Sequence, residues 1–263
     1  MPAVLHQFRL FFIALQFFTR IPIPRWVGFQ PEWLHHASRY FPMVGIVVAA
    51  VAGAVYFAAA HIWPAPVAVL LSTAAGIYLT GAFHEDGFAD MCDGFGGGTT
   101  RERVMDIMKD SRIGTYGAVG AGLLVALKCA LLSMLAPTSV IVALFIAHPL
   151  SRLAATALIW NLKYARDEGK AKPLAQQMTN AEFAIAAACA LVPSVILGAL
   201  GYLSWLVIAG CIAGAAAVAL WLSAKFVRRI GGYTGDCLGA VQQVSEVVIY
   251  LCLLASLQQG AWN

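Results

Sequence analysis

The apolar positions of this chain come in long blocks separated by short polar connections. Tyr40–Ala60, Ala65–Phe83, Thr115–Leu135, Thr138–Leu162, Phe183–Leu203, Ser204–Ala224 and Leu238–Leu257 each run to about the 20 residues that a membrane-spanning helix needs. The pattern predicts an all-α, polytopic integral membrane helical bundle of about seven transmembrane helices, built as a single membrane-embedded domain over residues 1–263. Val4–Phe18 is shorter, carries Arg9 and ends in "TRIPIPR". It reads as an N-terminal interfacial helix rather than a span, and no small-residue cleavage site follows that would mark a cleaved signal.

Composition agrees with this reading. Charged residues make up 11% of the chain, against about 25% in a soluble domain, and the mean hydropathy is +0.77. A soluble fold would need a larger polar shell to cover so much apolar sequence. The six cysteines form no CxxC pair and most fall inside apolar blocks, which fits small core residues facing a reducing compartment. The basic loops are short and lack interleaved aromatics, so nucleic acid is not an expected partner. The lipid bilayer is one, and a homo-oligomer is left open.

Charge placement orients the bundle. Lys and Arg gather in the N-terminal segment (Arg9, Arg20, Arg25, Arg39) and in three loops. Those loops hold Arg101, Arg103, Lys109 and Arg112; Lys163, Arg166, Lys170 and Lys172; and Lys225, Arg228 and Arg229. The alternate connections, near residues 61–64, 136–137 and 203–204, have none. With seven spans every basic loop falls on one face, which the positive-inside rule makes cytoplasmic. The polar chemistry of the chain is expected on that face.

That chemistry centres on "GAFHEDGFADMCDGFGGG", residues 81–98. Asp86, Asp90 and Asp93 stand at i, i+4 and i+7, within about 60° of one helix face. Three stacked carboxylates repel one another, so a cation is required, and hard oxygens without a Cys/His set favour Mg²⁺ or Mn²⁺ over zinc. Glu85 lies about 100° off that face and is not counted as a ligand. His84 offers either a further ligand or general base, or simply an interfacial ring. The glycines are expected to let backbone approach a ligand closely. The alternative, a solvated acidic loop, fits poorly with acids that begin where an apolar span ends.

A divalent ion held by carboxylates suits a phosphorylated substrate. Lys109, Asp110, Ser111 and Arg112 follow on the same face, before a helix opened by Gly114 and Gly117 whose N-terminus is a natural anion site. A second polar stretch, "RRIGGYTGDCLGAVQQVSE" (228–246), carries Thr234 and Asp236, then Glu246 about two turns inside a span. His148 and Arg152 form an i, i+4 polar pair read as binding an anionic substrate, whereas Lys128 has no partner legible from spacing.

"FFTRIPIP" (17–24), "HEDGFADMCDG" (84–94), "IMKDSRIGTYG" (107–117), "SR" (151–152), "YARDEG" (164–169) and "GGYTGDCLGA" (231–240) occur in this order. Together they resemble the cobalamin synthase family, the adenosylcobinamide-GDP ribazoletransferases, over nearly the whole chain. The resemblance implies a Mg²⁺-dependent membrane transferase that joins adenosylcobinamide-GDP to α-ribazole, or to α-ribazole 5′-phosphate, with release of GMP. It implies Asp86, Asp90 and Asp93 as metal ligands, with Asp93, Asp236 or His84 as proton acceptor. Lys109, Asp110, Ser111, Arg112, Arg152, Thr234 and Glu246 are the expected substrate-binding residues. Glu85 stands where the family pattern has an apolar residue, which suggests that Glu85 is dispensable, and Gln243 stands where an acid is common, which weakens any large acidic set around Glu246. Competing readings are a CDP-alcohol-type phosphotransferase acting on a lipid alcohol and a divalent-cation transporter. The near absence of charge in the outer connections disfavours transport.

Overall fold

The computed structural model describes residues 3–166 and 178–258. Lys170, Lys172 and the "DEG" of "YARDEG" lie outside the described residues. Among the described residues the chain forms α-helices and no strand: α1 Ala3–Phe18, α2 Pro31–Ala37, α3 Phe41–Ala60, α4 Ala65–Thr80, α5 Phe83–Gly97, α6 Arg101–Ile107, α7 Thr115–Ser133, α8 Pro137–Asn161, α9 Asn180–Ala199, α10 Trp205–Ile230 and α11 Gly235–Gln258.

Six helical stretches are long and apolar enough to cross a membrane, and the pair α4 and α5 supplies a seventh if the two count as one bent span. The chain is therefore a multi-pass membrane protein. α1, with 16 residues, reaches about 24 Å and falls short of a bilayer's hydrocarbon thickness, as an interfacial helix should. It buries Leu10, Ile13 and Ala14 and packs on α2 and α3.

The predicted span Ala65–Phe83 is corrected by the structure. α4 stops at Thr80, and α5 leaves it at 87°. Two consecutive left-handed residues make the corner, Gly81 (φ 66°) and Ala82 (φ 58°). Glycine takes that conformation freely, whereas an alanine there costs about 1–2 kcal/mol. Hydropathy could not show the corner, because the apolar run continues through it to Phe83. Two other predicted limits shift. α10 runs on to Ile230, so Lys225, Arg228 and Arg229 lie on its closing turns rather than in a loop. α11 begins at Gly235, which puts Asp236 in its first turn.

The bundle is organised around α8 and α11, which pack on each other and on most of the remaining helices. Basic residues from separate connections meet at one rim. Arg229 donates to the Gly98 carbonyl (2.6 Å) and Arg101 to the Ala165 carbonyl (3.4 Å). At the same rim, α9 opens with a capping box between Thr179 and Glu182, and Glu182 also pairs with His36 (2.6 Å) and Arg39, tying the N-terminal segment to the bundle.

Candidate active site

The acidic helix α5 is held on two sides, by α11 and by α7. Against α11 the backbones nearly touch. A Cβ on Gly87 would stand 3.0 Å from Asp236 Cα, and one on Gly239 would stand 3.0 Å from the His84 carbonyl oxygen. The absence of side chains at this crossing brings Asp236 beside Asp86 and Asp90, within electrostatic range of Asp90. The other glycines of the run serve packing too. The α-helix continues through Gly94 and Gly96 to Gly97, and Met108, Tyr116 and Val104 crowd the faces of Gly94, Gly96 and Gly98. The expected close approach is made by protein, not by an open tract.

On the α7 side, Asp93 reaches the N-terminus of that helix. Its carboxylate accepts from Gly114 N (2.7 Å) and Gly117 N (2.8 Å), and both glycines lack the side chain that would displace it. Gly114 has no side chain with which to cap α7, so Asp93 caps it from another helix. The anion site expected at this helix start is thus filled by Asp93 itself. Both carboxylate oxygens are engaged with backbone, and Asp93 stands apart from Asp86 and Asp90, with which the periodicity had grouped it.

Asp86 and Asp90 face a cleft of about 450 Å³. Asp236 enters it from α11, and Lys109, Asp110 and Ser111 enter from the connection after α6. Tyr164 and Arg166 complete it, and neither was among the site residues expected from sequence. A short parallel pairing delivers them: Tyr233 N donates to the Lys163 carbonyl (3.0 Å) and Ala165 N to the Tyr233 carbonyl (2.8 Å). Arg166 then donates to Asp236 Oδ2 (2.8 Å) and to the Met108 carbonyl (3.3 Å), bridging two walls of the cleft. Burial raises the Tyr164 phenol above its ordinary pKa, so it stays a neutral hydroxyl.

Thr234 is fully buried and works locally. Its hydroxyl donates to Asp236 Oδ2 (3.2 Å) and accepts from Cys237 N (3.4 Å), so it orients the carboxylate and caps α11 together. Arg112 is absent from the cleft wall. Its exposed guanidinium forks onto Asp110, with Nη2 to Oδ2 at 2.6 Å and Nε to Oδ1 at 3.0 Å. Those hydrogen bonds hold the Asp110 carboxyl down at about 2.

Three further expected residues lie inside the bundle, away from the cleft. His84 is 5% exposed and stacks on Phe18, ring centroids 5.4 Å apart. Glu246, with no exposure at all, pairs with Lys128 Nζ (2.5 Å), with His148 Nδ1 (2.7 Å) and more distantly with Arg152 Nη1 (3.7 Å). Gln242 donates to the same carboxylate. Lys128 thereby gains the partner that spacing could not name. It also donates to Gln243 Oε1 (3.0 Å), and Gln243 Nε2 donates to Glu85 Oε1 (2.8 Å). Glu85 and Gln243, the two positions set apart in the sequence reading, therefore touch each other.

The cleft suits a magnesium ion by the chemistry of its donors. Asp86, Asp90 and Asp236 offer hard oxygens, and Mg²⁺ is usually held by one or two carboxylates with phosphate and water filling the rest of its octahedron. Among the described residues no three His, Cys, Asp or Glu side chains converge to hold an ion.

A family model for cobalamin-5-phosphate synthase matches residues 10–254, which include every residue of the cleft and of the interior network. The chain belongs to the cobalamin-5-phosphate synthase family. Its curated relatives span it from end to end. An adenosylcobinamide-GDP ribazoletransferase of Leptothrix cholodnii is 48% identical, covering 100% of this chain and 99% of the relative. Proteins of the same name from Shewanella frigidimarina (46% identical, covering 95% of this chain and 96% of the relative) and Vibrio cholerae (43%, covering 98% of each) are similar over nearly their whole length. No solved structure matches the chain. For a member of this family the rim cleft is the candidate for phosphoryl chemistry, since it gathers carboxylates, cations and hydroxyls around about 450 Å³ of space.

Proposed function

We propose that this protein is a Mg²⁺-dependent adenosylcobinamide-GDP ribazoletransferase of a bacterial inner membrane, working on the cytoplasmic side. One observation carries the reading: in a member of this family, Asp86, Asp90, Asp236, Lys109 and Arg166 share one cleft of about 450 Å³. In the reaction a ribose hydroxyl of α-ribazole, or of its 5′-phosphate, attacks the cobinamide-proximal phosphorus of the diphosphate. A new P–O bond forms, the P–O bond to GMP breaks, and the hydroxyl proton passes to a base.

Bound Mg²⁺ would neutralise charge on the diphosphate oxygens. Asp86 and Asp90 would hold it, being the two cleft carboxylates of α5. Lys109 and Ser111 serve the phosphate of the leaving GMP by charge and hydrogen bonding. Arg166, which lines the same cleft, would add a second cation for the diphosphate. Of Asp93, His84 and Asp236, Asp236 is the acceptor best placed for the hydroxyl proton, because it alone of the three lines the cleft. Asp93 and His84 act on the shape of the site rather than on the substrate.

The test is direct. Purified protein in lipid nanodiscs, given Mg²⁺, adenosylcobinamide-GDP and α-ribazole, should release GMP. Asp86→Ala should lose that release while still inserting and folding. An intact protein that releases no GMP would overturn the reading.

A further inference from the structure

The interior network contains charged groups that do not line the cleft, yet one end of it reaches the acidic helix. Glu85 precedes Asp86 in sequence and points the other way. Its Oε1 accepts from Gln243 Nε2 (2.8 Å), and Gln243 Oε1 accepts from Lys128 Nζ (3.0 Å). Lys128 in turn pairs with Glu246 Oε2 (2.5 Å). The polarity of this relay is fixed. An ammonium can only donate, so the amide oxygen of Gln243 must face Lys128 and its NH₂ must face the carboxylate of Glu85.

The relay lies where it can set the cleft. On α11, Asp236, Gly239 and Gln243 stand at i, i+3 and i+7, one face of the helix, and that face meets α5. On α5, Glu85 is bound to α11 and Asp93 to the start of α7, about 12 Å apart along the axis. Asp86 and Asp90 lie between these two anchors. With one anchor α5 could roll or tilt; with both, its free carboxylates are held toward Asp236.

We infer that Glu85, through Gln243 and Lys128, is a positioning residue that orients α5 so that Asp86 and Asp90 face one cation in the cleft that Asp236 also lines. The inference rests on the proposed phosphoryl-transfer cleft. It reverses the expectation that Glu85 is dispensable.

Exchange of the pair tests it. Gln243→Glu sets two carboxylates against each other, and Glu85→Gln removes the negative charge at the end of the relay. The double exchange Glu85→Gln/Gln243→Glu restores a donor, an acceptor and the original charge count. Mn²⁺ binding to the nanodisc protein, read by electron paramagnetic resonance without substrate, should weaken about 10–100-fold in each single variant, the usual cost of losing a group that supports a ligand. It should recover to within about threefold of wild type in the double exchange. Thermal unfolding in parallel confirms that every variant is measured folded, a condition under which a purely structural contact would leave Mn²⁺ binding unchanged. Wild-type Mn²⁺ binding by both single variants overturns the inference, as does a double exchange no better than the worse single, or a wild type that binds no Mn²⁺. If wild type binds Mn²⁺ and the exchange pattern holds but no GMP is released, the proposed reaction fails and the positioning role stands.

Discussion

The rim cleft and the interior network are built from similar side chains and differ in how their charges are matched. In the network, Glu246 sits among Lys128, His148 and Arg152, and Glu85 ends a hydrogen-bonded chain from the same lysine. Nearly every charge has a partner from another helix, as hydrocarbon surroundings demand. At the rim, Asp86, Asp90 and Asp236 share a cleft where Arg166 supplies one ion pair, to Asp236. A matched set holds helices together. An under-compensated set that opens to solvent is suited to receiving cations and phosphates.

Substitutions should separate the two regions. The largest effect on turnover is expected at the rim: Asp90→Asn should lower kcat/KM roughly 10²–10³-fold, the range for losing one group that stabilises transition-state charge. Its thermal midpoint should stay or rise, because a repulsive charge has gone. A midpoint that falls along with activity would erase the distinction drawn above. Glu246→Gln should show the reverse, a loss of about 3–5 kcal/mol of stability through cations left unpaired, read by unfolding in mild detergent.

Next in size is the seam between the regions. Gly87→Ala would press a methyl onto the Asp236 backbone and should cost about 1–3 kcal/mol, with a matching fall in turnover from a displaced Asp236. Full activity in this variant would mean that α5 and α11 can separate without harm to the cleft.

The smallest effect is expected at Arg112. Its guanidinium holds Asp110 down at about 2, so the stabilisation is present above the ordinary carboxylate value of 3.8 and fades as pH falls through the folded value. Arg112→Ala should return the Asp110 titration, followed by ¹³C carboxyl NMR, to the ordinary range. Because the pair is exposed, stability at neutral pH should hardly change. A large loss of activity in this variant would place Arg112 on the substrate after all.

How far the sequence discloses this molecule depends on the range of each signal. Spans announce themselves because twenty apolar residues in a row have few other uses. The corner at Gly81 and Ala82 is hidden because hydropathy does not change across it, only backbone dihedrals do. Helical periodicity sets Asp86, Asp90 and Asp93 on one face, but it carries no information about what each meets, and α7 claims Asp93. The pairing of Arg166 with Asp236 joins residues seventy positions apart, and no local pattern encodes it. Glu85 is the instructive case. Its angle on the helix rightly keeps it out of the cleft, while its contact with Gln243 gives it a different part to play.

The crossing of Gly87 with Gly239 has a consequence for biogenesis. The carboxylates of α5 emerge from the ribosome long before the helix that completes their cleft. Until α11 inserts and packs, the site has neither Asp236 nor its backbone wall, and Glu85 has no amide to hold it. Assembly of the cleft is thus a late event of membrane insertion, and a nascent chain stalled before α11 should insert yet remain inert.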